Sequence, residues 1–247
     1  MGVKLQAVQW LQVLDVELFR FVNERLANPF FDVVMPFASG NVFFVPLVLA
    51  TGILLVWKGR VRGLVCVLML ALVLPLGDGL IYRTIKHAVG RPRPFLTLTE
   101  VRRPGGKNDA KARPPPSTAQ PNGRPPASGS GSMPSAHAAN WFAATMIAFI
   151  YYRRSIRFML PLALLVSFSR IYNGVHYPSD VVAGAALGAG YAAAAVWLLA
   201  ALWGSSGRKW FPILWARLPS LLDPTLHPAP GSSEVGHLAE DTRHELQ

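Results

Sequence analysis

Lys86, Arg93, Ser135, His137, Arg170, His176 and Asp180 are the residues of this chain whose types and spacing suit joint chemistry. They fall in three short strings: KHAVGRPRP from Lys86 to Pro94, PSAH from Pro134 to His137, and SRIYNGVHYPSD from Ser169 to Asp180. Cations at fixed spacing suit an oxyanion, and two histidines, one followed by an acid at i+4, suit phosphoryl chemistry performed on it. In the third string Pro178 can open a helix at its first position, with Asp180 in the first turn. There the carboxylate is expected to accept a hydrogen bond from Nδ1–H of His176, which would leave Nε2 bare as a nucleophile. Arg170 lies across an Asn173-Gly174 turn that brings its planar guanidinium near the imidazole. PSAH opens an apolar run, and a helix N-terminus there would offer unpaired N–H groups to an anion. Ser135 can donate to the same anion, and His137 projects from the first turn. Each assignment has a plainer alternative: a capping Asp, a snorkelling Arg, a His at a polar terminus, or a basic collar of Lys86, His87, Arg91 and Arg93 facing headgroups. Their coincidence on one side of one small bundle favours the joint site.

The elements that must position these groups are membrane helices. The chain has 247 residues, of which 51% are hydrophobic and 15% charged, a balance that fits an integral membrane protein. Five apolar runs approach the roughly 17–25 residues needed to cross the hydrocarbon: Gly40–Trp57, Gly63–Ile85, Ser135–Tyr152, Phe158–Tyr172 and Asp180–Trp203. The fourth is short and is expected to extend at one end. A sixth candidate, Pro29–Gly40, is too short alone; Asn28 as N-cap and Pro29 at the first position mark a helix start, with Asp32 near the positive dipole end. The expectation is an all-α integral membrane bundle of five to six transmembrane helices, preceded over residues 1–28 by an amphipathic interfacial helix. Residues 29–205 form the transmembrane domain. No cleavable signal peptide is evident, because Asp15, Glu17, Arg20, Glu24 and Arg25 interrupt the N-terminal apolar positions.

The formal charge of +11 raises nucleic-acid binding, but much of it sits in short loops between apolar runs. Lys58, Arg60 and Arg62, then Arg153, Arg154 and Arg157, then Arg208 and Lys209 all fall on one side, which the positive-inside rule makes cytoplasmic. No nucleic-acid partner is expected, and the three strings face the extracytoplasmic side of the cell membrane. Residues 95–133 contain Pro114-Pro115-Pro116 and a Ser128–Ser132 SGSGS run, so they read as a flexible extracytoplasmic loop. The polar tail, 206–247, reads as largely disordered. The single cysteine, Cys66, lies in an apolar run and supports neither a disulfide framework nor a thiolate metal site. Asp78 lies in the second run and is expected to face the bundle interior, since a carboxylate at depth costs about 2.5–3.5 kcal/mol on insertion scales. Gly184 and Gly188 make a GxxxG face that suits close packing within the chain rather than dimerisation.

Taken together, the strings resemble the signature of the type 2 phosphatidic acid phosphatase superfamily: K-x6-R-P, P-S-G-H and S-R-x5-H-x3-D. Lys86, Arg93 and Pro94 match the first part, and Ser169, Arg170, His176 and Asp180 the third; the second departs at Ala136, where the family usually has Gly. The resemblance covers about residues 86–190 in order. It implies that His176 attacks phosphorus to give a phosphohistidine, oriented by Asp180. It implies that His137 protonates the leaving oxygen and then activates water, while Lys86, Arg93, Ser135 and Arg170 hold the phosphate oxygens. It further implies a lipid phosphatase with no cofactor and no metal, the substrate being a membrane lipid phosphate or diphosphate. Small bacterial relatives of this layout point first to undecaprenyl diphosphate, with phosphatidic acid, phosphatidylglycerophosphate and lipid A as alternatives. A lipid phosphotransferase shares this chemistry; a haloperoxidase shares the motif without requiring membrane spans. An anion or lipid transporter predicts cations along the bundle's depth, where the runs are nearly all apolar. A metal site on His137, His176 and Asp180 would sit among repelling cations.

Overall fold

Residues 2–104 and 131–225, the part of the chain that the computed structural model describes, contain ten α-helices and no strand. α1 (Gly2–Arg20) runs on through a π-helical turn, Phe21–Arg25. It turns Trp10, Leu11, Leu14 and Leu18 outward and buries Asp15 and Phe19, the inverse of a helix on a water-soluble protein and suited to lipid. α2 (Pro29–Ser39) begins as its sequence predicts: Asn28 Oδ1 accepts from the Phe31 N–H at 2.9 Å, and Pro29 takes the first position.

α3 (Asn41–Leu76) reverses at Arg60, whose φ of 48° is left-handed. Its two arms run back along each other: a methyl on Gly63 would strike the Leu55 carbonyl, and one on Gly52 would meet Val67 at 4.0 Å. A π-helical stretch, Gly77–Tyr82, then leads into α4 (Arg83–Val89) and the short α5 (Pro94–Thr97). α6 (Ala136–Tyr151), α7 (Ile156–Tyr172) and α8 (Pro178–Leu202) follow, and α9 (Arg208–Trp210) and α10 (Pro212–Arg217) close the described chain.

Among the described residues three helical stretches are long and apolar enough to cross a membrane: Phe44–Thr97, Arg153–Tyr172 and Pro178–Trp210. The first contains the Arg60 reversal and so covers two of the five anticipated runs. The short fourth run does extend, at its N-terminal end. The run Ser135–Tyr152 forms α6 of 16 residues, about 24 Å, below that length. It lies at the centre of the bundle: α6 packs chiefly on α8 and α7, and Ala138, Ala139, Ala143 and Ile147 are fully buried. Large apolar side chains such as Ile53, Val182 and Trp197 remain exposed on the outer helices, as a lipid-facing surface requires.

α6 and α8 touch backbone to backbone. A methyl on Gly188 would strike the Ala139 carbonyl, and one on Gly184 would meet the Ser135 carbonyl, so the GxxxG face serves intramolecular packing as expected. One core joins Val65, Cys66, Met69 and Val73 to Ile147, Tyr151 and Val196; a second joins Phe19 to Ala138, Ile171, Tyr177 and Val181 beneath the motif strings. At the opposite end, Arg62 lies 5.7 Å over the Tyr152 ring and 4.0 Å from Asp223, and Trp203 donates to the Leu218 carbonyl at 2.8 Å. The basic turns and the motif strings thus occupy opposite ends of the bundle.

Several expectations change. Residues 95–104 and 131–133, assigned to the loop, are built into the fold: Asn23 exchanges two hydrogen bonds with the Arg102 backbone, both at 2.9 Å, and Ser132 N–H donates to the Arg91 carbonyl at 2.7 Å. Residues 105–130 lie outside the described residues. The first part of the stretch expected to be largely disordered is helical, a π-helical turn followed by α9 and α10, and residues 226–247 lie outside the described ones. Asp32 does more than meet a dipole, accepting the Tyr172 hydroxyl at 2.7 Å and the Arg102 guanidinium at 2.8 Å. Asp78 is exposed, not interior. The space beside Gly77 is filled by Tyr191, and Tyr82 takes the buried position, with its ring 5.6 Å from that of Tyr191.

Candidate active site

Pro178 opens α8 and brings Asp180 into its first turn, fully buried. Asp180 Oδ2 accepts the Tyr177 N–H at 2.8 Å and the Ser132 hydroxyl; Oδ1 accepts Arg91 at 2.8 Å. The carboxylate therefore caps its own helix and also faces His176, so the plain and the chemical readings describe one group. His176 lies in the α7–α8 connection and is 2% exposed. Its Nδ1 stands 3.7 Å from Asp180 Oδ2, beyond hydrogen-bond length, and has no partner among the described residues. The bond expected from sequence is not closed because the carboxylate oxygens already serve Tyr177, Ser132 and Arg91.

The connection carrying His176 is set by its turn. Gly174 adopts φ 71°, and any side chain there would strike Val101 and the Arg102 carbonyl. Val175 N–H returns to the Arg170 carbonyl at 3.2 Å, which ties the imidazole loop to the arginine that ends α7. Arg170 also donates to the Ser39 hydroxyl of α2, while its Nε is buried without a partner among the described residues. Ser135 is fully buried, does not cap α6 and leaves its hydroxyl without a partner among the described residues. Its N–H donates to the Asp180 carbonyl at 2.9 Å and so pins the start of α6 to α8. His137, half-buried in the first turn of α6, lies within electrostatic reach of His176, Lys86, Arg93 and Arg170.

All seven predicted residues thus meet at one end of the bundle. Three cations, a buried hydroxyl and a helix N-terminus surround two imidazoles, an arrangement suited to a phosphate dianion. His137, His176 and Asp180 do not form a metal-holding group, and no set of three such side chains does so among the described residues. His87 is exposed.

Two residues take roles that the sequence left open, for Arg91, or did not suggest, for Asp15. Arg91 does not face headgroups: its Nη1 lies 2.8 Å from Asp180 and 2.6 Å from Ser179 Oγ, its Nη2 lies 2.6 Å from Asp15, and it stacks 4.0 Å over the Tyr177 ring. Asp15, read as one charge of an amphipathic helix, is 6% exposed and also accepts both the N–H and the hydroxyl of Ser179. Its signal was present in an acid flanked by apolar residues, but no local pattern names a partner in the third string.

Burial holds His176 well below the ordinary imidazole value of 6.5, at about 4; Asp180 opposes the shift and Arg170 adds to it. Between those two values the unfolded chain binds a proton that the native chain refuses. Native stability is therefore expected to be intact above about pH 6.5 and to fall as pH drops towards 4. Thermal unfolding in detergent across that window should show this slope, and His176→Asn should flatten it.

The profile of the PAP2 superfamily matches residues 60–204, more than half of the chain. A protein of Bacteroides thetaiotaomicron named lipid A 4'-phosphatase is 29% identical over 194 residues, covering 73% of this chain and 75% of that protein. The bacitracin transport permease protein BcrC of Bacillus licheniformis is 44% identical over 57 residues, which are 23% of this chain and 28% of its own. In fold, the chain resembles the crystal structure of Aquifex aeolicus LpxE, with a TM-score of 0.50 and 24% identity over 73% of this chain and 93% of that one.

Proposed function

Because this chain belongs to the PAP2 superfamily and is a membrane lipid phosphatase of that type, we propose that it releases phosphate from a lipid diphosphate, first of all undecaprenyl diphosphate, through a phosphohistidine on His176. The observation that carries the reading is a pair of buried donors at this end, Ser135 Oγ and Arg170 Nε, that have no partner among the described residues and accompany a neutral buried imidazole. Nε2 of His176 forms the P–N bond as the P–O bond to the lipid breaks. His137, its pKa held at about 3 by burial and the nearby cations, gains a proton when the phosphate dianion offsets those cations and delivers it to the departing lipid oxygen. Asp180 steadies the positive charge that grows on the His176 ring. His137 then takes a proton from water as that water attacks phosphorus and frees His176. Lys86, Arg93, Arg170, Ser135 and the first amides of α6 hold the equatorial oxygens, where the transition state gathers charge. These fixed cations supply the charge that a metal would otherwise bring. The basic turns at the far end of the bundle support an extracytoplasmic site.

A further cation favours a diphosphate. Arg103, exposed and 4.3 Å over the Phe95 ring, stands within electrostatic reach of Arg93 and is suited to the phosphate that stays on the lipid. Arg103→Ala is expected to raise KM for a lipid diphosphate roughly threefold to tenfold and to leave a lipid monophosphate almost unchanged. Equal effects on both would remove this argument.

A second reading, hydrolysis of a phosphate on lipid A, rests on the Bacteroides thetaiotaomicron relative. Phosphate release by detergent-purified protein in EDTA decides between them, with undecaprenyl diphosphate, lipid A, phosphatidic acid and phosphatidylglycerophosphate supplied in turn. Turnover of the first supports the proposal, and turnover of another lipid keeps the mechanism and replaces the substrate. Release that needs an added lipid acceptor makes the chain a phosphotransferase. Activity that returns only with added metal overturns the metal-free account.

A further inference from the structure

The cation that holds Asp180 is shared with a second carboxylate. Arg91 lies between two buried carboxylates, Asp180 at 2.8 Å and Asp15 at 2.6 Å, and the three side chains together carry a net charge of −1. Asp15 belongs to α1 and reaches the start of α8, where Ser179 donates to it through N–H at 2.8 Å and through Oγ at 2.6 Å. Arg91 has no room to act as a phosphate clamp, since Nη1 and Nη2 are occupied by Asp180, Ser179 and Asp15 and its plane rests on Tyr177.

The charge balance gives this arrangement a consequence. An arginine bound to Asp180 alone would cancel its charge and leave the imidazole of His176 beside a neutral pair. Asp15 takes up half of that arginine, so Asp180 keeps negative charge with which to meet a developing imidazolium. The charged groups facing His176 are otherwise cationic or neutral: Arg170 at the end of α7, Arg93 before α5, and His137 in α6. In such surroundings the charge retained on Asp180 has no substitute.

We propose that Asp15 and Arg91 are positioning residues for the phosphatase reaction: Arg91 holds the Asp180 carboxylate, and Asp15 shares Arg91 so that Asp180 stays negative towards His176. The catalytic part of this inference rests on the reading of His176 given above. The electrostatic part does not, because it concerns the proton affinity of His176 whatever that residue does. The arrangement also fastens α1 to the reaction centre through its one buried carboxylate among the described side chains.

The test uses the purified full chain in detergent, with Asp15→Asn, Arg91→Gln and Arg91→Lys beside the wild type. Two properties are followed: the acid limb of kcat/KM for phosphate release, and the titration of the His176 ring by NMR of carbon-13 histidine. The His176 signal is assigned by its loss in His176→Ala. Removing Arg91 frees negative charge, so Arg91→Gln should raise the proton affinity of His176 about tenfold, one pH unit. Removing the charge of Asp15 gives Arg91 wholly to Asp180, so Asp15→Asn should lower that affinity by several fold. Arg91→Lys keeps the charge but cannot grip both carboxylates, and should lose about tenfold in kcat with a smaller shift of the titration. Opposite shifts in Arg91→Gln and Asp15→Asn support the proposal, even if the wild type releases no phosphate, an outcome that would defeat the catalytic reading instead. If His176 titrates as in the wild type in both variants, the proposal is overturned. A loss of rate accompanied only by a lower unfolding temperature also overturns it, since Asp15 would then be no more than a staple.

Discussion

His176→Ala is expected to abolish phosphate release, lowering kcat by at least about three orders of magnitude, while the protein remains folded. The two halves of this prediction have separate causes. Loss of Nε2 removes the atom proposed to accept the phosphoryl group, and nothing nearby replaces it: His137 is placed for proton transfer and Ser135 for binding. The fold survives because His176 contributes little to it. Nδ1 has no hydrogen-bond partner among the described residues, and the Asp180 carboxylate is held instead by Tyr177, Ser132 and Arg91. Circular dichroism and size exclusion in detergent should match the wild type, with release of inorganic phosphate read alongside. Residual activity above about one per cent would rule out His176 as the phosphoryl acceptor and turn attention to His137.

Gly184→Val and Gly188→Val are expected to act in the opposite way, damaging the protein without removing any chemical group. The Cβ of a residue at 188 would sit inside the Ala139 carbonyl, and that of a residue at 184 would press on the Ser135 backbone. Neither obstacle is a flexible side chain that can turn away, so α6 and α8 must separate. Overpacking of this kind costs typically about 1–3 kcal/mol, and backbone-to-backbone contacts lie at the upper end. Gly188→Val should therefore give the larger loss of unfolding temperature. Gly184→Val should give the larger loss of activity, about a hundredfold, because Ser135 and His137 ride on the displaced end of α6. Variants at both positions with wild-type melting and turnover would show that α6 and α8 are not in close contact.

The placement of the candidate residues was largely legible in the chain. Lys86, Arg93, Ser135, His137, Arg170, His176 and Asp180 were each identifiable from position at the edge of an apolar run, and all seven do lie at one end of the bundle. The helix starts at Asn28-Pro29 and Tyr177-Pro178 were equally plain, since proline and a capping side chain act within one turn. Other features were less legible for a common reason. Whether Asp78 faced in or out depended on Tyr191, more than a hundred residues away in sequence, filling the space beside Gly77. That the run at Ser135–Tyr152 lies at the centre of the bundle depended on what packed around it, because apolar residues suit lipid-facing and central settings alike.

Sequence by itself determined which groups are available and the turn on which each is presented, because helix periodicity, capping and the cost of burying charge in lipid act over a few neighbouring residues. Tertiary structure decided how those groups are paired. It gave Asp180 to Tyr177, Ser132 and Arg91 ahead of His176, and it brought Asp15 from α1 onto the first turn of α8. A carboxylate offers a small number of acceptor sites, and which donors reach them is settled by chain segments far apart in sequence. Local pattern can therefore name the side chains that gather at this end, while the charge they carry towards one another depends on the packed bundle.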